Sequence, residues 1–390
     1  MKRFFLLIVA VLVFSGPLMA QSVTVKAGAT KLLYDSRHFP ALYGESAPTI
    51  PSVGVKFGWK DYSDSPYALI CNHPEYGIAF QVDGLADAPA VNGPGLGNVY
   101  SVFGFFDRDI IQAGRFSFGY TGGFGLGICP NKLYNPETNP WNLIFSTPVN
   151  SHITFGFQAR YLLTPRYFTG VGFNFNHYSN GATNFPNRGF NGFELSLLFG
   201  MNASDAVMPV PKEPVDDGFK RHFQFDVQFS GGVMGNEAYY DYYVGLNGGG
   251  KNMHYPKFAF QADCLYKYCR THATGIGFDM FVTPFCDEIT KYLYLYRQLD
   301  NPDATEEHFE PVSFGISIVH EMCYRNLSLT AGVGRYLYDN DGLARNKILY
   351  QLVNIKYHFP DFADTYAGIV LKAHKFMAAE SIQLCIGKRF

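Results

Sequence analysis

One short stretch of this chain could do chemistry: His177-Tyr178-Ser179-Asn180-Gly181, then Asn187-Arg188-Gly189-Phe190-Asn191. If the residues leading into it form a strand, successive side chains point to opposite faces, so His177 and Ser179 share one face. Their backbones are then about 6–7 Å apart, near enough for an imidazole to turn onto a hydroxyl and take its proton during attack on a carbonyl. A His-x-Ser pair alone is ordinary at strand ends. Here Asn180, Asn187, Gly189 and Asn191 follow at spacings that allow the chain to turn and return, and an antiparallel return brings Asn191 back beside His177. The competing reading of Asn180 to Asn191 is a Gly/Asn/Pro loop with ordinary turn chemistry.

The elements that must position these residues are legible as period-two patterns. Val171, Phe173, Phe175, His177 and Ser179 fall on one face of a strand over Tyr167 to Ser179, with Gly172, Asn174, Asn176 and Tyr178 on the other. Ile153, Phe155, Phe157, Ala159 and Tyr161 alternate with Thr154, Gly156, Gln158 and Arg160, and Phe223, Phe225, Val227 and Phe229 alternate with Gln224, Asp226, Gln228 and Ser230. The apolar faces are largely aromatic, the polar faces largely uncharged, and the segments run about 10 residues, as in transmembrane barrels. The predicted fold is therefore all-β, a transmembrane antiparallel barrel. His177 and Ser179 continue its lipid-facing stripe, a costly place for polar groups unless they serve a purpose. The tight turn at Thr164, Pro165 and Arg166 and the longer connection after Asn180 make the strand between them run outward, placing the motif at the height of the outer leaflet.

Composition agrees. The 390 residues are 47% hydrophobic, 17% aromatic and only 16% charged, with a formal net charge of −2, which excludes a nucleic-acid binder and a disordered chain. Residues 1–20 read as an export signal, with Lys2 and Arg3 before an apolar run from Phe4 to Phe14 and cleavage expected before Gln21. No later run approaches the length of a spanning helix, so a membrane form must be a closed barrel. The seven cysteines, an odd number without a CxxC pair, suggest neither a disulfide framework nor a zinc site and read as small apolar fillers.

A stretch at 201–217, rich in Pro and acidic residues, separates a half at 21–200 that carries the motif from a half at 218–390 that ends on Phe390. With seven or eight strand-like segments on each side, the favoured closure is one barrel of about 14–16 strands, and the alternative is two tandem barrels of about 8.

These residues together resemble the lipid A 3-O-deacylase family, the PagL-type outer-membrane barrels that remove an ester-linked acyl chain from lipopolysaccharide. The likeness is clear over Tyr167 to Phe199 and looser from about Ser52; the second half is similar to the extension of longer members, called acyloxyacyl hydrolases. The resemblance implies Ser179 as nucleophile and His177 as general base, with Asn180, Gly181 and Asn187 lining the place where charge develops on the ester oxygen. It implies no cofactor or metal, an outer-membrane location, and lipid A, lipopolysaccharide and outer-membrane lipid as partners, with room for a homodimer. The third triad position departs from the family: where better-known members have glutamate, this chain has Asn191, which can orient an imidazole but cannot stabilise its charged form, so slower turnover is expected. Glu194, the nearest carboxylate, falls on the lumen face.

Other polar clusters carry blander readings. His320-Glu321 reads as an interfacial polar cap, His73 with Glu75 as loop chemistry, and His374 as a lumen residue. Asp300, Asp303, Glu306, Glu307 and Glu310 could bridge divalent ions but read first as a solvated loop, and Gly248 to Gly250 lacks the context of a phosphate loop. The alternative to an esterase is a non-enzymatic barrel, a pore or surface-interaction protein with a vestigial motif.

Overall fold

The structure, a computed structural model, describes residues 21–33, 42–44, 47–88, 90–203, 217–343, 348–375 and 378–390. The export signal at 1–20 and most of the 201–217 linker lie outside the described residues.

Sixteen antiparallel strands form two closed barrels of eight. The first contains β1 (Ser22–Leu32), β2 (Thr49–Lys60), β3 (Glu75–Asp83), β4 (Val99–Ala113), β5 (Phe116–Ile128), β6 (Val149–Leu162), β7 (Tyr167–Ser179) and β8 (Phe190–Asn202). The second contains β9 (His222–Gly235), β10 (His254–Cys269), β11 (His272–Val282), β12 (Val312–Tyr324), β13 (Leu327–Tyr338), β14 (Leu349–Phe359), β15 (Thr365–His374) and β16 (Ala378–Arg389). A short helix, α1 (Pro66–Ile70), lies between β2 and β3, while α2 (Glu237–Asn247) and α3 (Cys286–Asp300) follow β9 and β11.

The all-β transmembrane reading and the strand total stand, but the closure does not. A single barrel of 14–16 strands is replaced by the tandem alternative, because β8 pairs back onto β1 from Ser22 opposite Asn202 to Leu32 opposite Gly192, leaving no free edge on which β9 could continue the sheet. The second half closes likewise through β16 on β9. Alternation alone could not distinguish these outcomes, since inward and outward residues alternate in a barrel of any size.

Eight strands enclose a space that side chains can fill, and the inward residues fill it with paired charge. In the first barrel Lys26 meets Glu194 at 2.9 Å, Lys56 meets Asp107 at 2.6 Å, and Arg160 bridges Glu75 and Asp109 at 3.0 and 2.8 Å. In the second, Arg389 joins Asp226 and Glu321 at 2.8 and 2.6 Å, and Glu380 accepts from Lys257, Lys372 and His374. The lumenal reading of His374 is thus the observed one. Outward residues such as Phe155, Leu197, Ile276, Ile318 and Leu384 are exposed and form the apolar exterior that a bilayer solvates.

The barrels touch at both ends. At the short-turn end Arg325 binds Asp61 at 2.6 Å, Tyr324 donates to the same carboxylate, and the Tyr324 ring lies 5.1 Å from Phe106. Partial burial raises the Asp61 carboxyl, but hydrogen bonds from Tyr324, Ser63 and Arg325 outweigh it and hold the group down at about 2. A carboxyl so lowered contributes stability above its unfolded value near 3.9 and loses it as pH falls toward the folded value.

Two tests follow from the lumens. Purified protein in a planar bilayer should give no steady conductance steps, because charged side chains occupy both interiors. Glu380→Gln should lower the unfolding free energy by about 3–5 kcal/mol, the usual cost of stranding buried partners, seen as an earlier urea midpoint for loss of the folded, heat-modifiable band.

Candidate active site

The site begins with what holds β7. Its inward residues are anchored: Asn176 Nδ2 donates to Glu194 at 2.9 Å, and the Tyr178 hydroxyl donates to Asp83 at 2.5 Å and meets Ser101 at 2.9 Å. The Tyr178 ring stacks on His152 with centroids 4.3 Å apart. With Asn176 and Tyr178 fixed inward, His177 and Ser179 must face out.

Outside, three side chains form a relay. His177 Nε2 is 3.0 Å from Ser179 Oγ, and His177 Nδ1 is 2.7 Å from Asn191 Oδ1. An amide oxygen only accepts, so the ring proton sits on Nδ1 and Nε2 is left to accept from the serine hydroxyl. The geometry has a local cause: His177 and Asn191 are direct partners in the β7–β8 ladder, and Phe175 and Phe193 form the next outward pair. Glu194 takes no part. It lies in the lumen with Lys26, Asn176 and Gln81 around it, so it does not substitute for the absent triad carboxylate.

The loop between β7 and β8 is braced by its own amides. Asn180 Nδ2 donates to Ser146 Oγ at 3.1 Å and to the Asn184 carbonyl at 3.0 Å, while Asn180 Oδ1 accepts from the Thr183 N–H at 3.1 Å. The side chain expected to donate to a developing oxyanion is therefore turned into the loop. Asn187 Oδ1 accepts from the Asn180 N–H at 3.3 Å, so Asn187 also acts as a brace here. Gly181 follows Asn180 at φ +66°, and a Cβ there would lie 2.7 Å from Ile382 Cγ1 of the second barrel.

Two neighbours of the relay escaped the sequence reading of roles. Ser151 pairs with Ser179 across β6–β7, and its hydroxyl donates to the Ser179 carbonyl at 2.8 Å. The available signal was its place two residues before Ile153 on an apolar stripe, a second polar outward residue at the height of the motif. Gly189, at φ +68°, would put a Cβ 3.3 Å from His177 Cε1 and 3.6 Å from Ser179 Cβ, so its lack of a side chain keeps the relay uncrowded.

Position decides exposure. On the same outward stripe Val171 and Phe173 are 48% and 49% exposed, whereas His177 is 8% and Ser179 2% exposed. A small cleft lies between the loop residues Phe185 to Arg188 and Glu237, Tyr240 and Asp241 of α2, and none of the three relay residues lines it. Burial and the Glu237 carboxylate push the Asp241 carboxyl up to about 6 against the pull of Arg188. Among the described residues no three ligating side chains converge as a metal site, and the Asp300 to Glu310 cluster lies in and after α3.

Residues 223–390, the second barrel, match the family model of the acyloxyacyl hydrolase C-terminal domain, PagL_C. The PagL-type resemblance carried by the motif in the first barrel thus extends to the second. Similar solved structures include Neisserial surface protein A, at 13% identity over 46% of this chain and 96% of that one with a TM-score of 0.31. The outer membrane enzyme PagL is similar at 15% identity over 46% and 97%, with a TM-score of 0.29. A mutant of Rh. blastica porin aligns at 7% identity over 95% and 99%, with a TM-score of 0.17. No curated protein matches the chain.

Gly189→Ala tests the need for glycine at this left-handed position. A left-handed alanine should cost about 1–2 kcal/mol, read as a lower urea midpoint for the folded band.

Proposed function

We propose that this chain, whose second half matches the acyloxyacyl hydrolase C-terminal domain, is an outer-membrane serine esterase that removes an ester-linked acyl chain from lipid A or lipopolysaccharide. The observation that carries the reading is the continuous Ser179–His177–Asn191 relay on the outward wall of a barrel, where an acyl chain lies in the bilayer rather than in the lumen. The ion pairs across both lumens support this reading over a pore.

In the proposed reaction Ser179 Oγ attacks the ester carbonyl while His177 Nε2 takes its proton. The tetrahedral oxyanion collapses, the C–O bond to the sugar breaks, and the leaving alkoxide takes the proton back from His177. Water, deprotonated by the same imidazole, then attacks the acyl-serine, releasing the fatty acid and restoring the hydroxyl. With the Asn180 side chain occupied within its loop and its N–H held by Asn187, the oxyanion donors are backbone N–H groups of the loop from Gly181 onward. Asn191 holds the tautomer by accepting from Nδ1. It supplies no negative charge against the imidazolium, so the forward proton transfer lacks the stabilisation a carboxylate provides.

Lipid A from cells expressing the wild type should lack one acyl group by mass spectrometry, and lipid A from cells expressing Ser179→Ala should keep it while the barrel still folds. Identical spectra would sink the esterase reading. Asn191→Asp places a carboxylate of the same size opposite Nδ1 and should raise turnover by roughly tenfold or more, measured as initial rates of fatty-acid release.

A further inference from the structure

The motif loop does not stand free on the first barrel. The Gly235 N–H at the end of β9 donates to the Ala182 carbonyl at 2.8 Å, and His254 at the start of β10 meets Asn184 Oδ1 at 2.5 Å. Asn252, just before β10, takes both backbone groups of one residue: its Oδ1 accepts from the Phe185 N–H at 2.7 Å and its Nδ2 donates to the Phe185 carbonyl at 2.9 Å. The Phe185 ring packs 6.1 Å from Tyr240 of α2, and Gly181 lies against Ile382 of β16. Every one of these partners belongs to the second barrel.

The line from this seat to the nucleophile is short. Asn252 fixes Phe185; Asn187, two residues on, accepts from the Asn180 N–H; and Asn180 is bonded covalently to Ser179. The Asn180 side chain closes the same loop through the Asn184 carbonyl. A loop of ten residues that lost its seat at Phe185 could shift by an ångström within its remaining bonds to Ser146 and Leu143, and misplacement on that scale can cost on the order of a hundredfold in rate.

We propose that the second barrel is a working part of the site, with Asn252 as the positioning residue that seats the loop carrying the oxyanion donors beside Ser179. The inference rests on the esterase reading above and adds a role for the second half of the chain. Asn252 touches neither the relay nor the reacting atoms; it acts through Phe185 and Asn187. A fold containing the first barrel alone would keep the braces to Ser146 and Leu143 but lose the seat at Ala182, Asn184 and Phe185.

The test uses the full-length protein in detergent, folded as judged by heat-modifiable migration, and a fluorophosphonate, which phosphonylates a reactive serine with loss of fluoride. Labelling rates are compared for the wild type, Ser179→Ala, Asn252→Ala and Asn252→Asp, with hydrogen–deuterium exchange followed across residues 180–189. Asn252→Ala should label on the order of ten- to a hundredfold more slowly and exchange faster in that loop, with exchange in β7 unchanged. Asn252→Asp keeps the acceptor for the Phe185 N–H and loses the donor, so it should fall between. Labelling of Asn252→Ala at the wild-type rate would overturn the positioning role, as would slow labelling with unchanged loop exchange. A wild type that labels no faster than Ser179→Ala would overturn the esterase reading itself, and the positioning role with it.

Discussion

The interaction on which the site depends is the anchoring of Tyr178 and Asn176 inside the first barrel. In a pleated strand the direction of one side chain fixes the directions of its neighbours. The hydrogen bonds from Tyr178 to Asp83 and from Asn176 to Glu194 hold two alternate residues of β7 inward, so His177 and Ser179 between and beyond them have one direction left. A slip of one residue would put the imidazole and hydroxyl in the lumen and the Tyr178 ring in lipid, leaving Asp83 with only Ser52 and Gln81 as donors. The lumen network is therefore the register lock of a site on the opposite face of the wall.

That coupling explains why Glu194 is not the triad carboxylate although it is the nearest acid in sequence. Its neutralising partner, Lys26, and its donor, Asn176, are both inside, and a buried carboxylate pulled away would leave Lys26 unpaired. The position opposite His177 on the outward face belongs to Asn191 by ladder register, and that residue is an amide. A neutral partner suits a buried position better than a charge, at the expense of stabilising the imidazolium.

Much of this was legible in the sequence. The alternation from Val171 to Ser179 placed His177 and Ser179 on one face, and the stripe from Asn191 to Phe199 placed Asn191 beside them, because a period of two survives any tertiary context. Closure was not legible: a strand reads the same in a barrel of eight or of sixteen, and the decision lies in the β8–β1 ladder between residues far apart in the chain. The braced state of Asn180 was hidden for a related reason. Its amide partners, Ser146 and Asn184, belong to two different loops, and nothing in their spacing says that they meet.

A site on the outer wall of a barrel faces a difficulty that a lumenal site does not. The wall supplies ordered groups on one side only, and the loop above an outward polar relay would otherwise be held by first-barrel partners such as Ser146 and Leu143 alone. The second barrel meets that need with backbone and side-chain partners at Ala182, Asn184 and Phe185, and with an apolar contact at Gly181. At the opposite end, Arg325 and Tyr324 converge on Asp61. Two contacts at opposite ends of neighbouring cylinders restrict rocking in a way that either alone would not, since a single contact leaves the bodies free to pivot about it. The ion pair at the short-turn end and the loop seat at the motif end therefore act on the same variable, the distance between the second barrel and Ser179. The tandem arrangement gives an outward-facing relay a second, rigid wall.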